Sequence, residues 1–208
     1  MRTGNVKNSL VSRAGEKLAG AAQAFSYDFR GKTVLDIGSS TGGFTEVALK
    51  MGAEKVYAVE KGTRQMKAPL RFDPRIALYE KTDIFDTMVS GKDFLVDGDT
   101  KQGTKKSLFD TIVADVSFVS LTKVLAYAKI YLACCETDFL VMLKPQFEAT
   151  EKQLNKGVVK NEKIRRAIVG NFEKWLKIHG FLIVKKRDNT LAGKNGNLER
   201  FYWLKIAK

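Results

Sequence analysis

The chain of 208 residues contains no apolar run near the roughly 18 residues that a membrane-spanning helix needs. Its start, "MRTGNVKNSLVSRAGEKL", has charge but no apolar core of a secretory signal. Cysteine is scarce, and the two present, Cys134 and Cys135, are adjacent and poorly placed to bridge each other. No third or fourth cysteine is at hand for a metal site, so no metal is expected. These absences fit a reducing, cytoplasmic setting. The single histidine, His179, stands beside Gly180 at the end of a helical stretch, a poor place for catalysis.

What the chain has in excess is positive charge, +13 in all. Residues 1–33 carry a net +4, residues 34–143 a net −1, and residues 144–208 a net +10. The surplus therefore sits at the two ends of the chain. One reading is a surface solubilised by lysine. The sharper one is a polyanion partner gripped through its phosphates by the two flanks.

Short apolar runs alternate with amphipathic stretches, which predicts a parallel α/β sheet covered on both faces. Strands are expected at 33–37, 55–59, 76–79, 111–114, 139–143, 181–185 and 200–206, and helices at 12–25, 41–50, 63–71, 121–132 and 162–178. In the last helix Ile164, Ile168, Phe172, Trp175, Leu176 and Ile178 recur near a period of 3.6, opposite Lys163, Arg166, Lys174 and Lys177. The final two strands leave no room for a helix between them and should pair antiparallel. The fold class is thus a Rossmann-like sheet of seven mostly parallel strands with an antiparallel C-terminal hairpin, as in class I methyltransferases. One domain fills the chain, with residues 1–32 as a helical extension. The polar 88–108 region reads as a surface insertion.

The first strand ends in "VLDIGSSTGGFTE". A dinucleotide fingerprint, G-x-G-x-x-G, would need glycine where Ser40 stands, so a pyrophosphate is not the expected guest. The pattern D-x-G-x-x-x-G fits instead, with Asp36, Gly38 and Gly42. It suits a cofactor without phosphate, such as S-adenosylmethionine. The candidate cradle is Asp36 with Gly38, Ser39, Ser40, Thr41, Gly42, Gly43 and Phe44. Asp36 is placed to accept from the ammonium group, directly or through water. Glu60, at the next strand end, would hold the ribose hydroxyls. Asp83, after the third strand, would accept from the adenine amine. Any one of these acids also reads as a helix cap or a solvated charge.

"SRAGEKL", "LDIGSSTGGFT", "VYAVEKG", "ADVSFVSL", "LKPQFEA", "NKGVV" and "GNLE" together resemble the TlyA-type rRNA methyltransferases, a branch of the FtsJ-like 2′-O-methyltransferases. The resemblance runs from about Ser12 to the C-terminus. It implies a catalytic Lys-Asp-Lys-Glu tetrad of Lys17, Asp115, Lys144 and Glu199, with Asp115 also facing the methyl donor. Family members usually carry an S4-like RNA-binding domain before this region. Only about a dozen residues precede "SRAGEKL", which implies a shortened member or a fragment.

The tetrad makes chemical sense. A ribose hydroxyl must be held in line with the methyl and relieved of its proton. Lysine takes a proton only when partly neutral, and burial beside a second cation works in that direction. Lys144 is the expected acceptor, stiffened by Pro145. Other methyl transfers fit less well. Asp115-Val116-Ser117-Phe118 lacks the prolines of amino-methylating segments, and Cys134-Cys135 lie at the wrong end of a strand for a cytosine nucleophile. RNA is the expected partner, and the resemblance implies ribosomal RNA or a ribosomal subunit. Its phosphates would meet Arg2, Lys7 and Arg13 on one flank and Lys152, Lys156, Lys160, Arg165 and Arg166 on the other. Phe147 would stack a splayed base or join the core. Two other readings stay open: a small-molecule methyltransferase, and an RNA-binding protein that keeps the fold without catalysis.

Overall fold

The computed structural model describes residues 10–96, 108–191, 193 and 196–207. Strands run in chain order as β1 (Thr33–Ile37), β2 (Lys55–Glu60), β3 (Ile76–Glu80), β4 (Thr87–Ser90), β5 (Asp93–Val96), β6 (Thr111–Ala114), β7 (Asp138–Leu143), β8 (Phe181–Asp188) and β9 (Arg200–Ile206). Seven form one sheet in the order β3-β2-β1-β6-β7-β9-β8. Neighbours from β3 to β7 pair parallel, and β9 runs antiparallel to both β7 and β8. This is the mostly parallel sheet with an antiparallel end that the sequence pattern predicts.

Alternation along the strands builds two cores. Val34, Leu140 and Met142 face α1 (Arg13–Phe25) and α2 (Gly43–Lys50), where Leu18, Phe25 and Val47 are buried. Leu35, Ile37, Phe139 and Val141 face α3 (Leu121–Tyr131) and α4 (Glu162–Ile178), where Leu125, Phe172 and Leu176 are buried. Each buried Leu or Phe contributes about 2 kcal/mol. The helices start where polar caps allow. Ser12 accepts from Gly15 N, Ser120 from Thr122 N, and Asn161 from Lys163 N and Ile164 N.

Three expectations are corrected. The helix expected at 63–71 is absent; only Leu70–Phe72 forms a single 3₁₀ turn. Pro69 removes an amide there and disfavours helical backbone at Ala68. The 88–108 region is more than a polar insertion. β4 and β5 form a hairpin whose Phe94 ring lies 5.0 Å from that of Tyr79 and 5.6 Å from that of Phe109. Residues 97–107 of that segment lie outside the described residues, as do Arg2 and Lys7. Ile178 is 79% exposed rather than part of the α4 apolar stripe.

At the amino ends of the parallel strands, Asp138 is clamped from several sides. Tyr27 OH and Trp203 Nε1 each donate to it at 3.0 Å, and Lys32 Nζ does so at 3.2 Å. Lys205 Nζ lies 3.4 Å away. Burial pushes the Asp138 carboxyl up, but the Trp203 bond and the Lys32 charge outweigh it and hold it below its ordinary value. Among the described residues no helix is long and apolar enough to cross a membrane.

Candidate active site

At the opposite end, the carboxyl ends of the parallel strands open into a cleft of about 800 Å³. This is where open α/β sheets bind ligands. Gly38, Ser40, Glu60, Asp83 and Asp115 line it, with Ile84, Phe85 and Val116 supplying apolar wall. Gly38 has φ +80, and a Cβ there would press to 3.2 Å from the Asp115 carbonyl, so the two strand ends meet closely only because glycine stands here. Glu60 accepts from Ser40 N at 2.8 Å and from Gly62 N at 2.6 Å, which fixes its carboxylate on the turn. Asp83 pairs with Lys61 at 2.8 Å. Burial tends to raise the Asp83 carboxyl, but the Lys61 hydrogen bond and the Phe85 amide hold it below its ordinary value. Lys61 is the one cation of the described lining.

The rest of the predicted cradle lies outside the cleft lining. Asp36 is fully buried beneath the turn, where its Oδ2 accepts from Thr45 Oγ1 at 2.6 Å. Its Oδ1 and the buried Ser39 Oγ have no hydrogen-bond partner among the described residues. Burial, reinforced by the Asp115 charge and opposed by the Thr45 hydroxyl, pushes Asp36 up to about 7. Asp36 thus stands behind the turn and not on the cleft lining. Thr41, Gly42, Gly43 and Phe44 also stand outside that lining. The Thr41 carbonyl accepts from Lys67 N, Gly42 is the N-cap of α2, and Phe44 is a core residue against Phe201. At Gly43 a Cβ would fall 2.1 Å from Ser12 Oγ and 2.8 Å from Gly15 N. That close approach seats the start of α1 on the start of α2.

The α1–α2 contact aims Lys17 across the sheet end. Lys17 Nζ meets Glu199 Oε2 at 2.5 Å, with both side chains nearly enclosed. Lys144 Nζ meets Asp115 Oδ1 at 2.7 Å and donates to Ser117 Oγ at 3.0 Å. Lys144 is thus the one partner of Asp115 Oδ1 among the described residues. Register explains the convergence. Leu143 faces Arg200 across β7 and β9, so Lys144 and Glu199 are the next residues out from that pair at one sheet edge. Asp115 follows β6, the neighbour of β7. The four residues of the expected tetrad thus form two Lys–carboxylate pairs at the carboxyl end of the parallel strands.

Of the predicted phosphate contacts, Lys152, Lys156, Lys160 and Arg166 are exposed, as is Arg13. Arg165 is a correction. It is 6% exposed, donates to the Leu198 carbonyl and pairs with Asp188, so it ties α4 to β8 and β9. Helix phase already carried that signal, because Arg165 stands three and four residues before the buried Ile168 and Val169. Phe147 lies beside the site, its ring centroid 5.9 Å from Lys144 Nζ.

Several site residues escaped the sequence reading. Phe118 is 93% exposed and holds φ +65, a costly backbone for a bulky side chain. Its ring stands 5.2 Å from that of Phe147 at the cleft rim. Ser117 was overlooked beside Asp115, and Asn189, whose Nδ2 lies 3.4 Å from Glu199 Oε2, had no sequence signal. Glu148 accepts from Ser120 Oγ and Leu121 N, both at 2.6 Å, and so fastens the segment after Lys144 to the start of α3.

A seven-stranded sheet of this order, with a glycine turn and acids at successive strand ends, defines a Rossmann-like methyltransferase fold. Residues 10–206 match the family model described as FtsJ-like methyltransferase, and the chain belongs to that family. It is 36% identical over 199 residues to the 16S/23S rRNA (cytidine-2′-O)-methyltransferase TlyA of Mycobacterium tuberculosis, covering 94% of this chain and 68% of that protein. It is 34% identical to the 23S rRNA (cytidine-2′-O)-methyltransferase TlyA of Campylobacter jejuni, covering 93% of this chain and 70% of that one. A solved structure from Lactococcus lactis that carries a hemolysin label superposes with a TM-score of 0.82 at 32% identity, covering 96% of this chain and 89% of that one.

Proposed function

We propose that this chain methylates a ribose 2′-hydroxyl of ribosomal RNA, with S-adenosylmethionine as its cofactor. The observation that carries this reading is the Lys144–Asp115 pair, set at 2.7 Å where the cleft meets the end of β7. The lining suits the cofactor. Glu60 and Asp83 offer acceptors to a ribose diol and an adenine amine, Ile84 and Phe85 offer an apolar surface to the base, and Gly38 leaves room at the turn. When bound, the cofactor supplies an electrophilic methyl group.

The side chains supply the rest. Lys144 takes the proton of the ribose hydroxyl as that oxygen gains the methyl group. Asp115 holds the Lys144 amine in place. The Asp115 carboxylate, which lines the cleft, accepts from the hydroxyl before transfer. Lys17 and Glu199 orient the ribose from the other side. The exposed Phe118 ring and its neighbour Phe147 stack the splayed base. Lys152, Lys156, Lys160, Arg166 and Arg13 meet phosphates. A 2′-hydroxyl acceptor makes RNA, and not DNA, the substrate.

The test is methyl transfer from labelled S-adenosylmethionine to isolated ribosomal subunits, with the label mapped to ribose or base. Wild type labels ribose. Lys144→Ala lowers the rate by about 10²- to 10⁴-fold, the range for a general acid–base group. A folded, cofactor-saturated wild type that leaves the RNA unlabelled overturns the reading. So does full activity in Lys144→Ala.

A further inference from the structure

The outer face of α4 carries charge that neither the fold nor the cleft uses. Lys163, Arg166, Lys174 and Lys177 are all exposed. With Gly170 between them their positions advance by three, four, four and three residues, so they form one stripe along the helix, and Ala167, four residues after Lys163, lies on it too. The stripe spans fourteen residues, about 21 Å at the helical rise. Among the described residues Lys163, Lys174 and Lys177 have no ion pair, and Arg166 pairs only with Glu162 on its own helix.

The acids nearby are turned away or spent. Glu162 sits at the first turn, between Arg165 and Arg166. Glu173 is held on the sheet side by Lys186, Arg200 and Tyr202. α3, the adjacent helix, contains no acid. The middle of the stripe is low. A Cβ at Gly170 would meet nothing within 4 Å, and Ala167 adds only a methyl group. Two pairs of cations thus flank a shallow saddle, a shape that admits a chain of phosphates.

The stripe also has a direction. Its first turn lies at the site, because Arg165 donates to the Leu198 carbonyl next to Glu199, and Val159 N donates to Asn197 Oδ1. Exposed Lys156 and Lys160 continue it at that end. From there α4 leads away from the cleft toward the opposite end of the sheet.

We infer that the outer face of α4 is a track for the RNA backbone, which binds the phosphates of a segment flanking the methylated nucleotide. This inference rests on the RNA reading above. The track fixes position without reading sequence, since lysine–phosphate contacts carry no base information. It adds affinity that fades with salt, through release of counterions.

The experiment compares the wild-type chain with three variants in binding total ribosomal RNA across a salt series. They are Lys163→Glu/Lys174→Glu, Ala167→Glu, and a control of equal charge change, Lys55→Glu/Lys92→Glu, at the start of β2 and in the turn between β4 and β5. The slope of log K against log salt falls by about two in the α4 variant and stays near the wild-type slope in the control. Ala167→Glu, which removes no contact and suits a helix, weakens binding in the same direction. Cofactor binding and melting temperature stay at wild-type values in all three variants, and methyl transfer by the α4 variant shows a raised KM with kcat kept. If the wild type itself shows no salt-dependent RNA binding, the RNA reading fails and this inference with it. If the wild type binds but the α4 and control variants lose affinity equally, the track alone is overturned. If the α4 variant keeps its RNA binding and instead loses adsorption to phosphatidylserine vesicles, the face belongs to a membrane surface and the track is likewise overturned.

Discussion

The two ends of the central sheet use the same groups to opposite effect. At the amino ends of the parallel strands, Asp138 meets Lys32, Lys205, Tyr27 and Trp203. At the carboxyl ends, Asp115 and Glu199 meet Lys144 and Lys17. The first cluster is closed, because four donors from two segments, the loop before β1 and β9, saturate one carboxylate. The second borders an open cleft, and behind it Asp36 Oδ1 has no hydrogen-bond partner among the described residues. An ion pair becomes a clamp when the remaining lone pairs are filled. It becomes a reactive site when they are kept for a guest.

The comparison breaks most sharply at Lys144. Lys144→Ala cuts methyl transfer by the 10²- to 10⁴-fold stated above, while its melting temperature stays close to that of wild type. Asp138→Ala does the reverse. It strands the Tyr27, Trp203 and Lys32 donors and costs about 3 kcal/mol of stability, with kcat kept near wild type at temperatures where the protein is folded. Chemical denaturation paired with activity assays checks both. If Asp138→Ala impaired turnover more than stability, the division between the two ends would be wrong.

Gly43→Ala sits between the extremes. Its methyl group must push α1 off α2, at about 1–3 kcal/mol for overpacking. Because α1 carries Lys17, turnover should fall by more than the stability loss explains, and activity measured well below the melting point separates the two. At Asp36 the effect appears only as the pH changes. Its folded-state value of about 7 stands above the ordinary 3.8. The folded protein therefore binds this proton where the unfolded chain releases it. This group's contribution to stability declines as pH rises from near 3.8 to about 7. Asp36→Asn should flatten that slope in denaturation curves taken across this range. An unchanged slope would mean that Asp36 is ionised in the fold.

Much of the architecture was legible because its signals are local. β1, β6 and β9 fall at the expected residues, since strands buried on both faces read as unbroken apolar runs. α4 begins and ends as its caps and period indicate. The hairpin of β4 and β5 was missed because Phe94 is a lone aromatic in a polar stretch. Its partners Tyr57, Tyr79 and Phe109 come from three other places in the chain. Arg165 was misread as a surface group although its helix phase pointed inward. Phe118 gave no signal, because backbone strain has no signature in residue type.

The sequence by itself determined the order along the chain of the seven strands of the main sheet and of the four long helices, the glycine turn after β1, and the concentration of cations at the chain's ends. These follow from residue spacing and backbone preference over a few neighbours. Only the tertiary structure decided which lysine meets which acid, since Lys17 and Glu199 are 182 residues apart. A pairing depends on strand order and register, which join distant segments through the packing of the whole core, and no local period encodes it.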